Sequence, residues 1–145
     1  MTNSRDKGAR AERDLASRLT EMFPSFRFIR GQQRSGAEIA DVVAVDDYNN
    51  VVHTGVHIEA KHNERLNLQD AMEQSVRDAL PGEVPTVFHR KNRSGWLVTI
   101  RLQDLIAFTD AILAMNRKTV TVEAANKAEA LDILRRLLYY LEHLV

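Results

Sequence analysis

Ionisable side chains stand where strand hydrocarbon is expected. Val56-His57-Ile58-Glu59-Ala60-Lys61 reads as a small apolar strand, and so does Ile39-Ala40-Asp41-Val42-Val43 ahead of it. Asp41, Glu59 and Lys61 nevertheless lie within them. A charge in a dry interior costs on the order of several kcal/mol unless it is paired or bound to a metal. Strand alternation places His57, Glu59 and Lys61 on one face and Val56, Ile58 and Ala60 on the other. If the Asp41 strand pairs with the Glu59 strand as a hairpin, the two carboxylates converge. They then repel each other unless a cation sits between them. Hard oxygen donors of this kind suit Mg²⁺ or Mn²⁺.

The alternative is a partly exposed ion pair, Glu59 with Lys61, since a Glu-x-Lys triplet arises readily by chance. A third acid weighs against that reading. Gly8 to Phe23 carries Ala11, Leu15, Leu19, Met22 and Phe23 at helical spacing, on an arc of about 120°. Glu12 falls inside this arc, whereas Arg10, Arg13 and Asp14 fall outside it. An ion held by such acids acidifies bound water and offsets charge that builds on a phosphodiester. A lysine on the same strand face can hold the attacking water or stabilise the phosphorane.

Bulk properties bound the possibilities. A chain of 145 residues, 44% apolar and 28% charged, is expected to form one folded domain. No apolar run approaches the roughly 18–20 residues that span a bilayer. Met1 to Lys7 is polar and no apolar h-region follows, so no secretory signal is expected. The absence of cysteine excludes disulfides and thiolate metal sites and favours a cytoplasmic setting. Net charge is zero, but its distribution is uneven. Arg5 to Arg34 is basic, Ser35 to Ala60 holds acids with no Lys or Arg, and His89 to Arg101 is basic again. Such a layout suits a polyanion-binding face around an acidic centre; solvated surface charge is the alternative.

Along the chain, a loose tail over the first seven residues is expected before the Gly8–Phe23 helix, which Pro24 ends. Strands are expected at Phe26–Arg30, Ile39–Val45 and Val51–Lys61, the last two joined by the turn Asp46–Asn50, with a bend at Gly55. A glycine-punctuated loop, Gly31 to Gly36, precedes the Asp41 strand. Leu68–Leu80 reads as a helix stopped by Pro81-Gly82 and Pro85. Strands at Thr86–His89 and Trp96–Ile100 flank the basic turn Arg90 to Gly95. Gln103–Met115 reads as a helix with Leu105, Ile106, Ile112 and Leu113 on one face. Thr119–Val122 reads as an edge strand, and Asn126 with Glu129 as a capping box opening a helix to about Leu144.

Taken together, Glu12, Asp41 and Glu59-x-Lys61 resemble the PD-(D/E)xK nuclease superfamily. Lys7-Gly8-Ala9-Arg10-Ala11-Glu12-Arg13-Asp14-Leu15 is similar to the first helix of archaeal Holliday-junction resolvases, and Arg34-Ser35-Gly36 to their serine-bearing loop. Gly31 to Asp41 with His57 to Gln74 is further similar to phage-encoded resolvases of that group. The resemblance covers about Lys7 to Arg101. It departs at Ala40, where the superfamily label has proline. It implies a restriction-endonuclease-like α/β core, a central mixed β-sheet flanked by helices, here with an added C-terminal strand and helix. It also implies Mg²⁺-dependent hydrolysis of DNA and a homodimer acting on a branched substrate. On this resemblance Asp41 and Glu59 become metal ligands with the Ala60 carbonyl. Lys61 becomes the water-positioning or charge-stabilising group, Glu12 a further metal or water ligand, and Arg13 and Ser35 substrate contacts.

Other residues are less specific. Gln74, in the helix after Lys61, is either accessory to the metal site or an exposed polar position. His53, His57 and His62 lack zinc-ligand spacing. Arg34, Arg90, Lys91 and Arg93 are candidate DNA contacts, or solvated surface in the case of the turn. Trp96 is expected in the core. The last helix has an apolar arc of about 180°, from Leu131 to Leu144, which either covers the domain's own core or reaches a second subunit.

The expectation is therefore a single nuclease domain over residues 1–145, with a core at about 7–115 and an extension at about 116–145 that could dimerise. Its expected activity is metal-dependent cleavage of four-way DNA junctions. The rivals are a restriction-like, repair or nicking endonuclease on duplex or flap DNA, and a non-catalytic DNA-binding module on the same fold.

Overall fold

In the computed structural model the described residues are 4–31, 40–123, 131–132, 134–136 and 138–139. Helix α1 (Ser4–Met22) leads into strands β1 (Arg27–Arg30), β2 (Val42–Val45), β3 (Val51–Val52) and β4 (Val56–His62). Helix α2 (Leu68–Asp78), strands β5 (Val84–Arg90) and β6 (Leu97–Thr99), a 3₁₀ turn (Leu102–Asp104) and helix α3 (Leu105–Glu123) follow. The six strands form one mixed sheet in the order β1-β2-β4-β5-β6, with β3 paired to β2. Among the described strands only β4 and β5 run parallel, joined through α2; the other pairs are antiparallel. A parallel pair needs such a crossover because no short turn can return the chain to the same end of the sheet.

Helices cover both faces. On one, Leu15, Ala16 and Leu19 of α1 pack with Phe23, Phe26, Phe28, Val42, Ala44, Val56, Ile58 and Phe88, and with Phe108, Ala111, Ile112 and Met115 of α3. On the other, Ala71 and Met72 of α2 pack on Val87. This second face is the one onto which the odd-numbered residues of β4, His57, Glu59 and Lys61, project. Local chemistry sets the connections. The Asp46 carboxylate accepts the Tyr48 and Asn50 amides and tightens the β2–β3 turn, while Asn49 takes the left-handed conformation (φ 64°). Asn67 caps α2 by accepting from the Asp70 amide.

Several expectations need correction. The tail is shorter, because α1 already begins at Ser4. The long third strand breaks into β3 and β4 at Gly55, whose φ of 79° an L side chain rarely adopts. Pro85 lies inside β5 rather than before it; the β5–β6 ladder begins only at Val87, so Pro85 needs no amide toward β6. Helix α3 starts after a 3₁₀ turn and buries Met115 with Phe108, Ala111 and Ile112 partly buried, leaving Leu105, Ile106 and Leu113 exposed. Met22, assigned to the apolar face of α1, is 65% exposed.

The edge strand expected at Thr119–Val122 is instead the end of α3. A β-branched run favours a strand only where a pleated partner receives it, and no Gly or Pro interrupts the helix between Met115 and Glu123. The Asn126–Glu129 capping box lies outside the described residues. Residues described beyond it are helical, with Leu131, Leu134, Leu138 and Tyr139 exposed. No described helix is long and apolar enough to cross a membrane.

Candidate active site

Strands β2 and β4 meet at Val42↔Ile58, and one residue outward Asp41 faces the Glu59–Ala60 peptide. Asp41 stands at the entrance to β2, in a bend before the strand proper, rather than within it. A side chain at that point can turn along the strand edge, and the Asp41 carboxylate accepts the Ala60 amide at 2.8 Å. The bend is fixed from behind, since the Gly31 amide donates to the Asp41 carbonyl at 2.8 Å. A Cβ at Gly31 would collide with the Ala40 carbonyl oxygen. Only glycine lets the two backbones approach so closely.

Glu59 is 3% exposed. Its Oε1 receives Lys61 Nζ at 2.5 Å, and Lys61 also donates to Gln74 Oε1 at 3.0 Å. Helix α2 thus supplies a second partner for the lysine, so Gln74 is in contact with the Glu59–Lys61 pair rather than standing free on the helix face. Burial raises the Glu59 pKa, and the Lys61 hydrogen bond and charge oppose that rise. Burial and then the Glu59 charge raise Asp41 to about 6, with the Ala60 amide and the Lys61 charge pulling the other way. The pair is therefore under-compensated: one lysine serves a buried carboxylate, Glu59, and a half-buried one, Asp41.

Glu12 reaches the same neighbourhood from α1, and its charge adds to the upward shift of both Asp41 and Glu59. Its carboxylate is engaged by the Arg30 guanidinium. Arg30 did not stand out in the sequence; the only signal was its place as the last residue of β1, immediately before the Gly31 bend. His57 is 1% exposed on the strand face of Glu59 and Lys61, and no hydrogen-bond partner to its Nε2 is present. Glu83, also not singled out, faces it from the turn just before β5.

Among the described residues no group of three His, Asp or Glu side chains is arranged to hold a metal. What the site offers is two carboxylates, Asp41 and Glu59, whose proton affinities are both raised, Asp41's by burial and then by the Glu59 charge and Glu59's mainly by burial. That is the electrostatic condition a divalent cation relieves.

The DNA-contact candidates separate by position. Arg13 is exposed on α1, and Lys91 and Arg93 are exposed on the β5–β6 turn. Arg34 and Ser35 lie outside the described residues. Arg90 is held from within: it donates to Asp14 Oδ2 at 2.9 Å and its guanidinium lies 4.7 Å from the centre of the Trp96 ring. The Trp96 indole N–H donates to the same oxygen at 2.8 Å, so Trp96 is half-buried over the core with its polar edge satisfied. These contacts lower the Asp14 pKa, Trp96 most of all.

The model of the family described as phage putative PDDEXK endonuclease matches residues 3–143. This chain belongs to that family. The match extends across the C-terminal segment that the motif residues left unaccounted for. Among solved structures the chain is similar to Hjc of Archaeoglobus fulgidus, a Holliday junction resolvase from an archaeal hyperthermophile. The two are 30% identical over 65% of this chain and 72% of that one, with a TM-score of 0.45. No curated protein sequence matches. Membership supports endonuclease activity for this PDDEXK protein.

Proposed function

We propose that this PDDEXK endonuclease hydrolyses DNA phosphodiesters with Mg²⁺ or Mn²⁺, that branched DNA of the four-way-junction type is its preferred substrate, and that it acts as a homodimer. The observation that carries the metal-dependent part is the juxtaposition of half-buried Asp41 and buried Glu59 across β2 and β4, with the Glu59 charge raising the Asp41 pKa and a single lysine beside them. Junction preference rests on the similarity of Lys7–Leu15 and Arg34-Ser35-Gly36 to resolvases.

Asp41, Glu59 and the Ala60 carbonyl would hold the ion, whose chemistry is to acidify bound water and offset charge on the phosphate. The chain's own residues do the rest. Lys61, fixed between Glu59 and Gln74, presents an ammonium where the attacking water or the phosphorane oxygens gather charge. Glu12 is a further water or metal ligand once it leaves Arg30. Arg13, Arg34, Ser35, Lys91 and Arg93 contact the DNA backbone. Arg90 holds the base of the turn that carries Lys91 and Arg93. A dimer leaves a use for the exposed apolar positions Leu131, Leu134 and Leu138.

The test is cleavage of a labelled mobile four-way junction, a flap and a linear duplex at equal concentration, with Mg²⁺ and with EDTA. Junction cleavage that vanishes in EDTA and exceeds duplex cleavage is expected. Equal cleavage of duplex and junction would replace the junction reading with a restriction-like, repair or nicking role. A monomer by light scattering at micromolar concentration removes the dimer.

A further inference from the structure

Behind the cluster runs a line of side chains that the proposed mechanism does not use. His57 Nε2 lies 4.0 Å from Glu59 Oε2, and His57 Nδ1 lies 3.5 Å from Glu83 Oε2. Glu83 Oε1 in turn lies 3.3 Å from Nδ1 of the exposed His53. We propose that His57 is a positioning residue for Glu59, clamped between Glu83 and the Glu59 carboxylate so that it fixes the direction in which that carboxylate faces its ligand. The inference rests on Glu59 being a carboxylate of the active site.

Three observations carry it. First, the two Glu59 oxygens have different neighbours inside the protein: Oε1 takes Lys61, and Oε2 faces His57. Rotation of the carboxylate about its last torsion is broad and soft unless both oxygens are held. Second, His57 cannot turn away. It is 1% exposed, and its Nε2, without a hydrogen-bond partner, points toward Glu59. A buried ring nitrogen left unpaired is costly, so the native ensemble gains by closing this gap. Third, Glu83 is itself fixed. It ends the turn Leu80-Pro81-Gly82-Glu83, in which the Glu83 amide donates to the Leu80 carbonyl and Gly82 has a φ of 87°. Its Oε2 also accepts the Leu80 amide at 3.0 Å. The Pro-Gly pair that stops α2 thus sets the far anchor of the ring. A histidine that merely filled the interior would need no fixed carboxylate on each side.

The experiment compares His57→Leu, His57→Gln and Glu83→Gln with the wild-type chain. Thermal melts establish folding, single-turnover and steady-state cleavage give kcat and KM, and calorimetry gives Mn²⁺ affinity. Loss of a group that orients a metal ligand typically costs about 10–100-fold in metal affinity or activity. His57→Leu is expected to fall in this range in kcat and in Mn²⁺ affinity, with KM for DNA unchanged. His57→Gln, which keeps a donor, is expected to recover most of both. A folded His57→Leu with wild-type kcat and Mn²⁺ affinity overturns the inference while leaving the nuclease reading intact, provided that Glu59→Gln is inactive. If His57→Leu does not fold, Glu83→Gln decides: a several-fold loss in both readouts supports the clamp, and wild-type values overturn it. A wild-type chain that neither cleaves DNA nor binds Mn²⁺ overturns the nuclease reading and this inference together.

Discussion

The Asp41 carboxylate accepts the Ala60 amide across the β2–β4 pair at 2.8 Å, so the first acid is tied to the backbone between the second acid and the lysine. This bond holds Asp41 in place through an atom that asparagine also possesses. Asp41→Asn should therefore keep the geometry and lose the charge. The expected result is cleavage reduced by at least about 10³-fold with folding and DNA binding retained. Glu59→Gln should behave in the same way. Unchanged cleavage in both variants, measured with saturating Mg²⁺, would sink the proposed mechanism.

Stability should depend on pH through Asp41. Its pKa in the folded protein is about 6, above its ordinary 3.8, because burial and the Glu59 charge disfavour the carboxylate. The folded state therefore binds the proton more tightly than the unfolded state. The contribution from Asp41 is complete below about pH 3.8 and is lost as pH rises through about 6; it amounts to roughly 3 kcal/mol, linkage taking 1.36 kcal/mol per pKa unit. Urea unfolding in EDTA at intervals from pH 4 to 7.5 should reveal this loss. Asp41→Asn should shrink the pH dependence to the part due to Glu59, whose pKa burial also raises, and should be more stable than the wild type near pH 7.

Divalent cations should reverse that penalty. Mg²⁺ or Mn²⁺ at 100 times its dissociation constant should add about 2.7 kcal/mol to wild-type stability, read as a raised Tm. Asp41→Asn and Glu59→Gln should show little or no such shift. Equal shifts in all three proteins would place the ion elsewhere.

Gly31→Ala is a test of the neck that positions Asp41. A Cβ there collides with the Ala40 carbonyl, so either Gly31 or the Ala40–Asp41 peptide must move. We expect a loss of cleavage of about 10²-fold or more, as a misplacement of about 1 Å can produce, together with a lower Tm. Wild-type cleavage by the alanine variant would mean that the neck adjusts without disturbing Asp41.

Arg90 and its neighbours should respond differently to alanine. Arg90→Ala breaks the bond to Asp14 and uncovers Trp96, and should cost about 1–3 kcal/mol in stability. Lys91→Ala and Arg93→Ala, on exposed positions, should leave stability within about 0.5 kcal/mol. They should instead weaken DNA binding and reduce its salt dependence. Fluorescence anisotropy at several salt concentrations separates the two classes.

The sequence by itself picked out the charged residues of the candidate centre and most of the order of the elements around it. Acids and a lysine in strands of Val, Ile and Ala are legible because desolvation makes charge in such a context costly wherever the strand packs. The helical period of Ala11, Leu15 and Leu19 was sufficient to place Glu12 toward the sheet. Tertiary structure decided everything that depends on distant partners. The sequence cannot tell that Arg30 will occupy Glu12, that Glu83 will meet His57, or that Arg90 will be drawn to Asp14 and Trp96, since these pairs are joined only by the folded sheet. The same reason explains the misread strand at Thr119–Val122: strand propensity needs a neighbouring strand to express it, and within α3 that run has none. Asp41 and Glu59-x-Lys61 were visible as residues; only the register of β2 against β4 brought Asp41 onto the Glu59–Ala60 peptide.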